Sequence, residues 1–133
     1  MNNASLLRLL GITLLSVVFF TGCAKAKHEK TIKQRYTDGA TAICKDDFAT
    51  FAKIIDPDSA KNEAKSKITW GVIRLLVGLG KLTPEDFRID KIEFSDDFKI
   101  ATLSTSHREK DVWKKDEKPT VWILVNGQWH WKL

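Results

Sequence analysis

The sequence predicts an α+β domain in which two or three N-terminal helices pack on a curved, mostly four-stranded antiparallel sheet. Apolar residues recur at intervals of three and four up to Leu79, which indicates helices, and at intervals of two after Phe87, which indicates strands. Near the C-terminus, Asn126-Gly127 separates two apolar runs, and this dipeptide suits the positive backbone angles of a type I′ hairpin turn. With 133 residues, 43% of them hydrophobic and 29% charged, the chain has the composition of one globular domain.

The first 22 residues have the pattern of an export signal. A short polar start with Arg8 precedes an apolar run from Leu9 to Phe20, which is too short to span a bilayer as a helix. The run leads into Thr21-Gly22-Cys23, which resembles the signal of bacterial lipoproteins. The resemblance implies cleavage before Cys23 and transfer of a diacylglyceryl group to its thiol. An ordinary signal peptide cut elsewhere, or an uncleaved anchor, remains the alternative.

This signal divides the chain into three parts. We predict a signal peptide at residues 1–22, a lipidated tether at residues 23–30 and a single domain at residues 31–133. The lipid would hold the protein in the cell envelope. Ala24 favours the outer membrane facing the periplasm, because the resemblance to enteric lipoproteins implies an Asp there for inner-membrane retention; in an organism with one membrane the location would be the cell surface. The cations near the anchor would attract anionic headgroups or form a solvated tether; they are Lys25, Lys27, Lys30, Lys33 and Arg35.

Three helices are expected before the sheet. The first carries apolar residues at helical spacing from Ile32 to Cys44, and Asp46-Asp47 separates it from a second helix that closes at Asp56-Pro57. The third begins at Asp58 or Ser59. Its predicted core face is Ile68, Val72, Leu75, Leu76 and Leu79. A second apolar stripe on nearly the opposite side must then meet the other helices, a ligand or another subunit; its members are Trp70, Ile73 and Val77.

The strands follow a short turn at Thr83-Pro84. Residues 88–94 and 99–105 are expected to pair antiparallel, and residues 120–125 to pair with 128–133 around Asn126-Gly127. This turn fixes the register of the hairpin, so that Val125 faces Gln128 and Leu124 faces Trp129. One side of the hairpin therefore gathers the residues predicted for the core, which are Trp122, Leu124, Trp129 and Trp131.

The order of helices and strands, the break at Asp46-Asp47 and the ending Trp129-His130-Trp131-Lys132-Leu133 resemble the nuclear transport factor 2-like, cystatin-like superfamily. More narrowly, the chain is similar to small bacterial lipoproteins with that domain. The resemblance implies a cone with a pocket between sheet and helices. It implies no reaction, because members include isomerases, dehydratases and many binding proteins without catalysis.

The sequence contains few motifs that indicate catalysis or metal binding. It contains no His-Glu-x-x-His, no Gly-x-Ser-x-Gly and no cysteine pair with zinc spacing, so we expect no metal site and no cofactor. The chain has a net charge of +5, but acidic residues lie among the basic ones along the sequence. This mixed distribution argues against nucleic acid as a partner. Cys44, the second cysteine, is expected to be a buried thiol or an intermolecular link.

We therefore predict a non-catalytic domain that binds a small apolar ligand or a protein partner, with a homodimer left open. The candidate binding residues are Trp70, Trp113, Trp122 and Trp131. The alternative is an isomerase or dehydratase of the ketosteroid-isomerase kind. Its base would be Asp90, placed by a period of two on the side of Ile92 and Phe94, and its donor would be Tyr36. The alternative reading of this pair is an exposed strand-end acid and an ordinary core tyrosine.

Overall fold

The structure is a computed structural model that describes the backbone of residues 3–133 and the side chains of residues 22–133. The side chains of the predicted signal-peptide run from Leu9 to Phe20 lie outside the described residues. The chain divides into two compact units, a first that ends at Lys30 and a second, Thr31–Leu133. Among the described residues, no helix combines the length and the apolar character needed to cross a membrane.

Residues 3–80 form four α-helices: α1 (Asn3–Cys44), α2 (Phe48–Ile54), α3 (Pro57–Lys61) and α4 (Glu63–Gly80). Helix α1 includes residues 23–30, for which we predicted a tether. Polar residues begin each later helix: the side chain of Asp47 accepts a hydrogen bond from the Thr50 N–H at 3.1 Å, and Asp56 and Asn62 cap α3 and α4 in the same way. The break at Asp46-Asp47 is confirmed, with Asp46 in a left-handed conformation at φ 57°.

The prediction for α4 is confirmed for the Trp70 stripe, which meets the other helices, and is wrong for the predicted core face. Trp70, Ile73 and Val77 face the domain, whereas the predicted core face is exposed. A polar anchor explains the difference, because Arg74 Nη1 donates to the Ile43 carbonyl at 2.7 Å and its Nε lies 3.2 Å from Asp46 Oδ1. This anchor joins α4 to the end of α1 and turns the Trp70 stripe inward. The exposed fractions of the outer residues are 70% for Ile68, 54% for Val72, 62% for Leu75, 61% for Leu76 and 74% for Leu79.

Between residues 87 and 132 the chain forms a five-stranded antiparallel sheet: β1 (Phe87–Phe94), β2 (Ile100–Glu109), β3 (Val112–Lys115), β4 (Thr120–Val125) and β5 (Gln128–Lys132). The long strand β2 pairs with β1 along one edge. Along its other edge its first half pairs with β4 and its second half with β3. The predicted register of the β4–β5 hairpin is confirmed, since Val125 pairs with Gln128 and Leu124 with Trp129. Strand β3 was missed because it lies in a densely charged connection.

The buried side chains of the second unit form two clusters between helices and sheet. One cluster includes Ile32 of α1, Leu103 of β2 and Trp129 of β5, and the other is built on Phe51 and Ile55 around α2. Arg35, which we grouped with the cations near the anchor, joins three elements of the structure. Its Nε donates to the Trp129 carbonyl at 2.9 Å and its Nη2 to the Lys53 carbonyl at 2.7 Å.

Candidate ligand-binding cavity

A cavity of about 300 Å³ lies between helices α1, α2 and α4 and the inner face of the sheet. Alternation along β2 and β4 turns Thr105 and Trp122 toward the helices, and the helices contribute mostly aliphatic and aromatic surface. The apolar lining consists of Gly39, Ala40, Ile43, Phe51, Ile54, Ile73, Phe87, Trp122 and Trp131. Such walls favour an apolar occupant, since transfer of apolar surface out of water drives its binding.

One wall of the cavity is polar. Thr105 Oγ1 donates to Asp116 Oδ2 at 2.5 Å, and the Asp116 N–H donates to the Thr105 carbonyl at 3.0 Å. Tyr36 of α1 lines the cavity beside Thr105 and Asp116, close enough for both to affect the pKa of its phenol. These three residues, Tyr36, Thr105 and Asp116, are named here the polar wall.

The far side of Asp116 is held by a histidine. His107 Nδ1 lies 2.6 Å from Asp116 Oδ1, and both side chains are about one-third exposed. His107 follows Thr105 by two residues on β2, so both side chains lie on the same face of the sheet. The carboxylate of Asp116 therefore has a hydrogen-bond partner on each oxygen and a fixed orientation.

The phenol of Tyr36 is held in its neutral form. Burial raises its pKa, and the negative charge of Asp116 raises it further. At neutral pH Tyr36 is consequently a hydrogen-bond donor and not a phenolate. A neutral phenol and a carboxylate therefore lie on one wall of a cavity whose lining is otherwise mostly apolar.

Asp90 does not share this site. A β-bulge between Ile89 and Lys91 breaks the period of two, so that Ile89 and Ile92 both pack toward the core while Asp90 projects from the other face. There Asp90 Oδ1 accepts from Arg88 Nε at 2.9 Å and its Oδ2 accepts from Ser106. The bond from Ser106, and then that from Arg88, lower the pKa of Asp90. The prediction that Asp90 lies on the side of Ile92 and Phe94 is therefore wrong.

The four predicted tryptophans take three different positions. Trp122 and Trp131 line the cavity. Trp70 does not; its ring packs against Phe48 and Phe51, with centroids 5.6 Å and 4.9 Å away. Trp113 of β3 lies on the outer face of the sheet, where the guanidinium groups of Arg88 and Arg108 lie 4.2 Å and 5.5 Å from its ring centroid.

The cysteines lie apart from this wall. Cys23, the predicted site of lipid attachment, is exposed. Cys44 is half-buried at the end of α1, and burial raises the pKa of its thiol. Within the part of the chain that the structure describes, no three His, Cys, Asp or Glu residues cluster as a metal would require.

Sequence reasoning missed two residues of the polar wall, Thr105 and Asp116, and also missed His107, which contacts Asp116. Thr105 continues the inward alternation of Ala101 and Leu103, so its side could have been derived. Asp116 could not, because it follows the unrecognised strand β3 directly.

Comparison with known proteins supports the fold. The chain matches no protein-family model and no curated protein. It is similar in structure to a Campylobacter jejuni protein that is named as a candidate transpeptidase of the nuclear transport factor 2-like type, with a TM-score of 0.51 and 14% sequence identity. The similarity covers 79% of this chain and 96% of that chain. The chain thus has a nuclear transport factor 2-like fold, and at this identity the similarity carries no activity with it.

Proposed function

We propose that this protein is a membrane-anchored lipoprotein of the bacterial envelope whose domain binds a small, largely apolar ligand without catalysing a reaction. The observation that carries the proposal is the cavity of about 300 Å³ with apolar walls. Ligand pockets are typically mostly apolar, with a few polar groups that fix orientation. Tyr36, Thr105 and Asp116 supply such groups here.

The polar wall narrows the class of ligand. Asp116 already accepts from Thr105 and faces His107, but each carboxylate oxygen has a second lone pair. A hydroxyl or amine on the ligand would donate to this acceptor. We therefore infer an apolar molecule with one hydrogen-bond donor, small enough for a cavity of about 300 Å³.

The membrane anchor rests on the N-terminal sequence. Thr21-Gly22-Cys23 follows an apolar run of signal-peptide length, and Cys23 is exposed. Acylation of this thiol would hold a domain at the membrane without a transmembrane helix. Ala24 favours the outer membrane within this proposal.

Two naphthalene derivatives test the ligand class. 1-Naphthol has an apolar body with one hydroxyl donor, and 1-methylnaphthalene has a similar shape without the donor. Isothermal titration calorimetry should show binding of both and tighter binding of 1-naphthol. Asp116→Asn should reduce the preference for 1-naphthol and leave binding of 1-methylnaphthalene unchanged.

A cavity-filling variant provides the decisive control. Ala40 of α1 lines the cavity, so Ala40→Leu should weaken binding of both compounds at least tenfold. Ala49, exposed on α2 and absent from the lining, gives the matched variant Ala49→Leu, which should bind like the native protein. Equal binding by the two variants would show that the compounds bind elsewhere and would refute the proposed site.

A second function, an isomerase or dehydratase, is favoured by one observation: the carboxylate of Asp116 and the neutral phenol of Tyr36 lie on one cavity wall. In this alternative Asp116 takes the role predicted for Asp90, removing a proton beside a carbonyl that Tyr36 polarises. Deuterium exchange into 2-tetralone, followed by NMR, distinguishes the two functions. A binding protein leaves the exchange rate at that of buffer. An acceleration that Asp116→Asn abolishes would favour the enzyme.

A further inference from the structure

Helix α4 presents an exposed apolar surface that the cavity does not use. This surface, named here the α4 apolar face, consists of Ile68, Val72, Leu75, Leu76 and Leu79. Each of these side chains is more than half exposed, and together they offer several hundred Å² of apolar surface, the size at which patches mark interaction sites. Gly71 and Gly78 lie at its edge, and a Cβ atom added to either glycine would meet no other atom within 4 Å. Nothing in the second unit therefore covers this edge of the face.

The charges around this face are mainly positive. From Lys61 to Lys81 the chain carries four lysines against the single acid Glu63, while Arg74 lies on the opposite side of the helix and pairs with Asp46. Glu63 is itself paired, with Lys67 Nζ 2.6 Å from its Oε1. The lysines are exposed and lie at both ends of the helix; they are Lys61, Lys65, Lys67 and Lys81.

This pattern disfavours a second copy of the chain as the occupant. A twofold contact brings the same patch of both copies together. If two α4 helices packed antiparallel, Lys81 of each copy would approach Lys65 and Lys67 of the other, and a parallel pair would set each lysine against itself. Like charges at such an interface weaken it. The occupant that complements the face is apolar in its interior and anionic at its border.

We propose that the α4 apolar face docks on an anionic lipid bilayer. Leu75 and Leu79 would enter the boundary between headgroups and acyl chains, with the lysines among the phosphates. The proposal rests on the proposed anchor at Cys23. Thr31 lies eight positions after Cys23, so the anchored domain stays within about 28 Å of the bilayer even with this segment fully extended. Tethering at this distance lets a weak second contact form, because it raises the effective concentration of the face at the membrane.

Photocrosslinking in a Gram-negative host tests the docking with the full chain. p-Benzoylphenylalanine replaces Leu75, which is 62% exposed and so tolerates replacement, and Lys99 in the exposed β1–β2 turn serves as the control position. We expect a phospholipid adduct at position 75, identified by mass spectrometry, and at least fivefold less at position 99. A protein adduct, a dimer of the chain, no adduct at position 75, or equal lipid adducts at both positions would overturn the proposal.

Two further measurements separate the docking from the anchor. Fatty-acid labelling of Cys23 reports on the anchor alone, so a labelled chain without a lipid adduct at position 75 refutes docking and leaves the anchor intact.

The purified full-length chain is then placed in vesicles of phosphatidylcholine with or without phosphatidylglycerol. The adduct at position 75 should rise several-fold with the anionic lipid. Changing Lys61, Lys67 and Lys81 to Gln should abolish this rise, and a rise that persists in the variant would overturn the role of charge.

Discussion

Truncation of Trp70 tests the rotation of α4. In the structure Trp70 packs inward against Phe48 and Phe51, whereas Leu75, on the other side of the same helix, is 62% exposed. Trp70→Ala should therefore destabilise the domain strongly and Leu75→Ala should not. The two variants form a matched pair, because both shorten an apolar side chain of α4 to the best helix-forming residue.

The expected loss follows from the burial of the indole. Trp70 is half-buried, so its truncation returns about 100 Å² of apolar surface to water, which at 25 cal/mol per Å² costs about 2.5 kcal/mol. Loss of the ring contacts with Phe48 and Phe51 adds about 0.5–1.5 kcal/mol. The free energy of unfolding should fall by about 3 kcal/mol, with a drop in Tm on the order of 10–15 °C. For Leu75→Ala the change should stay within about 0.5 kcal/mol.

Urea denaturation of residues 24–133, followed by circular dichroism, measures both free energies under one condition. An unchanged slope of the transition would show that the variants alter stability and not the extent of unfolding. If Leu75→Ala costs as much as Trp70→Ala, the two faces of α4 have been assigned the wrong way round. The α4 apolar face would then be core, and the docking proposal would fail with it.

Two more predictions concern the anchor and the C-terminus. Cys23→Ser should abolish incorporation of labelled palmitate, and equal labelling of native and variant chains would contradict lipidation. The buried Asp56 carboxylate accepts hydrogen bonds from the Ser59 N–H at 3.0 Å and from the Leu133 N–H at 3.1 Å. Burial raises the pKa of Asp56, but the bonds from Ser59 and Leu133 outweigh burial, so the pKa is lowered. A lowered folded pKa stabilises the native state above the unfolded pKa of about 4, and this contribution is lost as pH falls further. The stability difference between native protein and Asp56→Ala, measured in urea, should therefore shrink below about pH 4, and a constant difference would contradict this role.

Local rules were sufficient for the C-terminal hairpin. Asn126 and Gly127 have φ values of 50° and 79°, as a type I′ turn requires, and a two-residue turn leaves one register for the strands. Every pair between β4 and β5 could therefore be derived from the sequence. The breaks at Asp46-Asp47 and Asp56-Pro57 were equally local, since Asp47 and Asp56 each cap the helix that follows them. The helix start predicted at Asp58 or Ser59 is wrong, because the segment is divided into α3 and α4 by a further cap at Asn62.

The rotation of α4 could not be derived, because both sides of the helix are apolar. Hydrophobic periodicity finds a core face only when the opposite face is polar. The contact that decides between the two sides joins Arg74 to the Ile43 carbonyl, 31 residues away in sequence. A basic residue within an apolar helix, on the side of Trp70, was the only local sign of this anchor.

Two irregularities of the sheet decide which carboxylate enters the cavity. The bulge in β1 turns Asp90 to the outer face, although strict alternation would turn it inward. On β2, pairing passes from β4 to β3 near Thr105, and the chain leaving β3 brings Asp116 back against that residue. Neither event can be found from the hydrophobic pattern: the first breaks the period of β1, and the second depends on how the strands pair and leaves the alternation of β2 intact. The polarity of the cavity in this chain is thus set by a bulge and by an exchange of partner strands, and neither follows from the spacing of apolar residues.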